Sequence, residues 1–125
     1  MIIGIGTDLV RVARIEAAMQ RHGPRFARRL LGEQEVDRFH QGPFPAAYLA
    51  KRFAAKEAFV KALGTGIRKG MRWTEIQVVN DAMGRPSLVL AGRAWELSVH
   101  AGVRVHHLSL TDEVDLALAF VVLED

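Results

Sequence analysis

The 125-residue sequence predicts an α+β fold in one compact domain, residues 1–125, with a mainly antiparallel sheet packed against a long central helix. Three observations predict it. Segments of alternating and helical periodicity follow one another as β-α-α-α-β-β-α-β-β, with helices grouped rather than interleaved with strands. Ala46 to Leu63 carries the strongest helical pattern in the chain. The turn formers from Asn80 to Pro86 separate two short apolar runs at hairpin spacing.

Taken in order, Ile2 to Val10 reads as a strand. Ile3, Ile5, Thr7 and Leu9 fall on one face, and Gly4, Gly6 and Asp8 on the other, where missing side chains let a backbone or a ligand come close. Arg11 to Arg21 reads as a helix through Val12, Ile15 and Met19, with Asp8 near its N-cap, and Gly23-Pro24 ends it. Arg25 to Leu31 and Glu33 to Phe39 are short helices, followed by the loop Gly42-Pro43-Phe44-Pro45. The long helix places Leu49, Phe53, Val60, Leu63 and Ile67 along one stripe and stops at Gly64-Thr65-Gly66. Glu75 to Val79 and Ser87 to Leu90 form the hairpin strands. Gly92 to Ala101 is a helix with Trp95 and Val99 as core contacts, and Val105 to Leu110 and Leu116 to Leu123 are the closing strands.

Half the residues are hydrophobic, which suits a packed core and excludes a disordered chain. No apolar run approaches the roughly 20 residues a bilayer span needs, and the first residues do not read as a signal peptide. With no cysteine there is neither a disulfide framework nor a thiolate metal site. The expectation is a cytoplasmic protein without a membrane span.

The net charge of +3 is unevenly spread. Arg11 to Leu31 holds six arginines against Glu16, and Lys51 to Arg72 holds seven basic residues against Glu57. The stretch from Asp112 to Asp125 has five acids and no base. Two basic segments point to an anionic partner: phosphate, nucleic acid or an acidic protein.

Glu57 and Lys61 are neighbours at i,i+4 on the long helix. That spacing suits a simple surface ion pair. It also suits a metal-binding carboxylate beside a phosphate-binding lysine, since Mg²⁺ is commonly held by one or two carboxylates plus substrate phosphates. Asp8 is the natural second carboxylate, and its plain alternative is a helix cap. Gly64-Thr65-Gly66 is a helix stop or a place of close backbone approach, and it lacks the order of a phosphate-binding P-loop. The histidines show no metal-ligand spacing, and His106 and His107 point to opposite faces of a strand. Ser109 and Thr111 lack a Ser-His-Asp partner set.

Together these segments resemble a known family. Gly4-Ile5-Gly6-Thr7-Asp8-Leu9-Val10 with Arg14-Ile15-Glu16 resembles the N-terminal signature of bacterial holo-acyl-carrier-protein synthases, in the 4′-phosphopantetheinyl transferase superfamily. The run from Arg52 to Ile67 is similar to that family's central signature, and Asn80-Asp81, Gly84-Arg85-Pro86 and His107 to Thr111 complete the order. The resemblance covers essentially the whole chain. It implies the phosphopantetheinyl transferase fold and the Mg²⁺-dependent transfer of 4′-phosphopantetheine from coenzyme A to a serine of an acyl carrier protein, in fatty acid biosynthesis. It implies Asp8 and Glu57 as Mg²⁺ ligands, and Lys61 as a group at the phosphate or leaving group. Arg52, Lys61, Gly64, Gly84, Pro86 and Thr111 would lie along the coenzyme A site, and Arg14, Arg21, Arg25 and Arg28 would dock the acidic carrier. It also implies a homotrimer with active sites at subunit interfaces, where Asp8 and Glu57 could meet across two chains. Asp112 stands where many members have histidine, so no catalytic histidine is carried over. The base for the serine is either a carboxylate such as Glu57 or a metal-bound water.

Two rivals come from the basic segments: a nucleic-acid-binding module and an assembly protein that docks an acidic partner. RNA binders set aromatic platforms beside their basic residues. Here the aromatics of those segments are Phe26, Phe53, Phe59 and Trp73, of which three fall at core positions. Glu57 separates the readings, because an acid amid a basic face is of no use to a pure anion binder.

Overall fold

The structure is a computed structural model that describes all 125 residues. Its elements are β1 (Ile2–Arg11), α1 (Val12–His22), α2 (Pro24–Leu30), α3 (Glu33–Gln41), α4 (Pro45–Leu63), β2 (Ile76–Asn80), β3 (Pro86–Leu90), α5 (Gly92–His100), β4 (Val105–Asp112) and β5 (Leu116–Glu124), with a 3₁₀ turn at Trp73–Glu75. Four helices separate β1 from β2, as the segment-by-segment reading gives and one more than the order β-α-α-α-β-β-α-β-β allows; the rest of the order is the one the sequence predicts. The strands divide into two antiparallel sheets rather than one: a three-stranded sheet in the order β1-β5-β4 and the β2-β3 hairpin. No helix is long and apolar enough to cross a membrane.

The 19-residue α4 lies across the three-stranded sheet and also touches β2, α1, α2 and α3. Because neighbours surround it, its apolar residues do not form the single stripe the sequence suggests. Leu49, Ala50, Ala54, Ala55, Ala58, Phe59, Val60 and Ala62 are all buried, and they lie on every side of the helix. Phe53 and Leu63 are only half-buried, and Ile67 lies beyond the helix end. Gly64 closes the helix in the left-handed conformation, φ +82°, and its N–H returns to the carbonyls of Val60 and Lys61. One apolar core, built on Phe59, Leu49, Ile76, Val121 and Leu123, joins both sheets to the helices.

The glycine face of β1 explains how closely α4 packs. A Cβ at Gly6 would sit 2.0 Å from the Ala58 carbonyl oxygen, and one at Gly4 1.9 Å from that of Ala62. The alternation of β1 therefore points its small residues inward at a backbone, and points Ile5 and Leu9 outward. Register pairs Ile5 with Val122, Thr7 with Phe120 and Leu9 with Leu118, so the outer face of this sheet is broadly apolar and exposed.

Two local expectations fail. Trp95 and Val99 are 54% and 50% exposed, because α5 turns Ala94, Leu97 and Ser98 inward instead. Asp8 does not cap α1. The N-cap position is Arg11, no side chain caps the helix, and Asp8 is bonded elsewhere.

Substituting Gly6 with Ala should destabilise the chain by about 2 kcal/mol or more in urea unfolding, since the new methyl meets a helix carbonyl that cannot move alone. Gly42→Ala, whose Cβ would lie 3.4 Å from the nearest atom, should change stability by less than about 0.5 kcal/mol.

Candidate active site

The packing of β1 on α4 brings Asp8, Glu57 and Lys61 together. Lys61 Nζ donates to Asp8 Oδ1 at 3.0 Å and to the Thr7 carbonyl at 3.0 Å. The i,i+4 pair with Glu57 is therefore not made, and Lys61 reaches across to the strand instead. The Asp8 side chain is 14% exposed, that of Lys61 53%. Glu57 is half-buried, and its carboxyl is held above the ordinary range. Burial is the larger cause. The negative charge of Asp8 is the next, and the charges of Lys61 and Arg14 pull it partly back. The charge of Asp8 therefore reaches Glu57 within one chain. Ile5, Gly6, Thr7 and Lys61 line an open cavity of about 380 Å³ at the same place.

A second cavity, of about 250 Å³, opens between α3, α4, the β2-β3 turn and β4. Arg38, Lys51 and Arg52 supply its positive charge, Asn80, Gly84 and Pro86 its turn wall, and Asp112 its one acid. The turn is shaped by Asp81, whose Oδ1 accepts from the N–H groups of Met83 and Arg85, and by Asn80, whose amide donates to the Gly84 carbonyl. Gly84 sits at φ +86°, where a side chain would be strained. Arg52 is 4% exposed. Its Nη2 donates to Asn80 Oδ1 at 2.9 Å and to the Val78 carbonyl at 3.4 Å, and its guanidinium carbon lies 4.2 Å from the centre of the Tyr48 ring.

The fold therefore divides the residues expected along one elongated ligand. Arg52, Gly84 and Pro86 meet at the second cavity. Lys61 is nine residues further along α4, about 13 Å of helix, and Gly64 lies beyond it. Thr111 is exposed on the outer face of β4, opposite Leu118, and is not brought to either cavity. Arg14, Arg21, Arg25 and Arg28 are all exposed on α1 and α2, and none makes an ion pair. Beside Arg25 and Arg29, the partly exposed Phe26, Phe53 and Trp73 line a shallow cavity of about 270 Å³.

Sequence reasoning missed Arg38, Lys51 and Tyr48 at the second cavity, and Glu35 and Lys56 beneath it. The i,i+4 spacing of Tyr48 and Arg52 was a usable signal, since it stacks a guanidinium over a ring on one helix face.

Comparison with known proteins matches this arrangement to one class. The 4′-phosphopantetheinyl transferase superfamily matches residues 4–120. The chain is 50% identical over 123 residues to a holo-[acyl-carrier-protein] synthase of Yersinia pseudotuberculosis, covering 98% of each chain. Among solved structures, the holo-[acyl-carrier-protein] synthase of Neisseria meningitidis aligns with a TM-score of 0.93 at 45% identity, covering all of both chains. The Bacillus anthracis synthase, solved in complex with CoA (3′,5′-ADP), aligns at 0.81 and 36% identity, covering 98% of this chain and 96% of that one. The chain belongs to the 4′-phosphopantetheinyl transferase superfamily, and within it to the enzymes called holo-[acyl-carrier-protein] synthases.

Removing the charge of Asp8 should lower the pKa of Glu57. In Asp8→Asn the repulsion is gone and the ion pair with Lys61 becomes at most a neutral hydrogen bond, so ¹³C NMR titration should show Glu57 shifted down. Burial, the larger cause, remains and should keep it above an ordinary glutamate.

Proposed function

We propose that this chain moves 4′-phosphopantetheine from coenzyme A to a serine hydroxyl of an apo-acyl carrier protein, releasing adenosine 3′,5′-bisphosphate, with Mg²⁺ held by Asp8 and Glu57, in fatty acid biosynthesis in the cytoplasm. The observation that carries the reading is that β1 sets Asp8 against Lys61 on the helix that carries Glu57, with a cationic cavity about 13 Å back along the same helix.

The donor set fits the metal. Both carboxylates offer hard oxygen donors, and no third His, Cys, Asp or Glu joins them. That leaves room for substrate oxygens, the usual way Mg²⁺ is bound. A carboxyl whose pKa is raised partly by a neighbouring anion is one that a cation would relieve. When bound, the ion neutralises pyrophosphate charge and stabilises charge developing at phosphorus.

The chain's own groups do the rest. Arg38, Lys51 and Arg52 bind the phosphates of the nucleotide end, with Gly84 and Pro86 against the adenosine. Lys61 holds a proton on Nζ and can turn from Asp8 to a phosphate oxygen, stabilising the bisphosphate as it leaves. The serine oxygen forms a bond to the β-phosphorus, the bond from that phosphorus to the departing bisphosphate oxygen breaks, and the serine proton passes to a carboxylate oxygen. The exposed arginines of α1 and α2, with Phe26, Phe53 and Trp73 between them, suit an acidic partner that also offers apolar side chains. The exposed apolar outer face of the β1-β5-β4 sheet suits contact with further copies in a homotrimer, and would set Thr111 beside a neighbouring copy's site.

The direct test is intact mass of an apo-acyl carrier protein after incubation with this chain, coenzyme A and Mg²⁺. The carrier should gain one phosphopantetheine, and a chelator should prevent it. Glu57→Gln should lower the rate on the order of 10²-fold or more while sedimentation still shows a trimer. Full activity in that variant would remove Glu57 from the reaction, and a monomeric wild-type chain would remove the trimer. Arg14→Glu should raise KM for the carrier at low salt, and the difference should shrink as added salt shortens the screening length from about 10 Å at 0.1 M towards 3 Å at 1 M.

A further inference from the structure

Beneath the cationic cavity lies a buried carboxylate with no role in the scheme above. Glu35, on α3, is 1% exposed. Its Oε1 accepts from the Gly32 N–H at 2.9 Å and from Lys56 Nζ at 2.7 Å. Its Oε2 accepts from the Val78 N–H at 3.1 Å and faces Arg52 Nε at 3.8 Å. That Nε is the one buried side-chain polar atom in the chain without a hydrogen-bond partner. The Glu35 main-chain carbonyl in turn accepts from Tyr48 Oη at 2.7 Å, and the Tyr48 ring lies against the guanidinium.

One residue thus controls three boundaries of the Arg52 head group. Its carboxylate faces the Nε edge. Its carbonyl fixes the tyrosine that forms a wall. Its bond to Val78 anchors the start of the segment that carries the Val78 carbonyl and the Asn80 amide, both bonded to Nη2. Arg52 is held in this buried cage and also lines the cavity, so its guanidinium presents there in one orientation.

We propose that Glu35 is a positioning residue for coenzyme A binding, fixing the Arg52 guanidinium in the cavity formed with Arg38 and Lys51. The proposal rests on the reading of that cavity as the nucleotide site. A residue that served only to hold the fold together would weaken the protein without acting through Arg52, and the two roles separate by experiment.

The measurement is the dissociation constant of coenzyme A by titration calorimetry on folded full-length variants. Glu35→Gln alone strands the ammonium of Lys56, which can unfold the chain, so the working variant is Glu35→Gln with Lys56→Met. It should bind coenzyme A about tenfold more weakly, the size expected for loss of an oriented, charge-assisted contact. Lys56→Met alone disturbs the same core but leaves Glu35 beside Arg52, and should bind within about twofold of wild type. Arg52→Lys should weaken binding about tenfold, and combining it with the Glu35 and Lys56 substitutions should add almost nothing, because both changes remove the same contact. If Arg52→Lys binds as tightly as wild type, the cavity is not the nucleotide site and the proposal falls with that reading. If Arg52→Lys weakens binding but the Glu35 variant does not, or if the combined variant falls about a hundredfold, Glu35 does not act through Arg52, and the positioning role alone is overturned.

Discussion

Strand β1 lies so close to α4 that a Cβ at Gly4 or Gly6 would overlap a helix carbonyl, and the candidate site depends on that approach. Two glycines let the strand lie against the carbonyls of Ala58 and Ala62, closer than any side chain would permit. At that separation the next inward residue of the strand, Asp8, comes within hydrogen-bond reach of Lys61 and within electrostatic reach of Glu57. A methyl group at either glycine would push the strand outward and separate the carboxylates. The packing that fixes the core therefore also sets the spacing of the charged groups, which is why Gly4, Gly6 and Asp8 alternate on one face.

The long helix distributes its charges by angle. With about 100° per residue, Arg52 and Lys56 lie about 40° apart, and Glu57 and Lys61 also lie about 40° apart, while the two pairs point about 140° away from each other. The first pair meets Glu35 on α3, and its Arg52 carries positive charge into the second cavity. The second pair meets β1 at the surface. Lys56 is fully buried, and its ammonium is shared among Glu35 and the carbonyls of Leu30 and Trp73, which fastens the end of α2 and the 3₁₀ turn to the helix. Burial draws its pKa down to about 8, partly offset by Glu35. Such a buried charge is tolerated because every donor finds an acceptor, and losing one partner would leave the other unsatisfied.

Much of this was legible in the sequence, and the parts that were not share a cause. Element order, the helix stop at Gly64, the hairpin turn and the candidacy of Asp8, Glu57 and Lys61 all follow from local pattern. The partners of those groups do not. Spacing suggested that Lys61 pairs with Glu57 and that Asp8 caps α1, but tertiary packing put Lys61 and Asp8 together at a sequence separation of 53. Glu35 looked like one more charged residue in a short polar helix, and its burial is visible only once α3, α4 and β2 meet around it. Trp95 and Val99 read as core because they are apolar, yet α5 has only one covered side, which small Ala94 and Leu97 fill. The apolar stripe on α4 dissolved for the opposite reason, since a helix covered on all sides needs no single apolar face.

The strand β4 shows how one short element can serve two surfaces. Its alternation sends Leu110 and Asp112 into the cationic cavity and turns Ser109 and Thr111 to the outer face, where register sets them opposite Phe120 and Leu118 of β5. The Asp112 carboxylate lies 4.0 Å from Lys51 Nζ. One acid among Arg38, Lys51 and Arg52 leaves the cavity with a net charge of +2, still suited to a polyanion. An acid placed there lies beside Lys51 and offsets part of the cavity's positive charge. Arg38 and Arg52 are the cavity's cations that Asp112 does not pair, and Arg52 is flanked from beneath by the buried carboxylate of Glu35 and the ring of Tyr48.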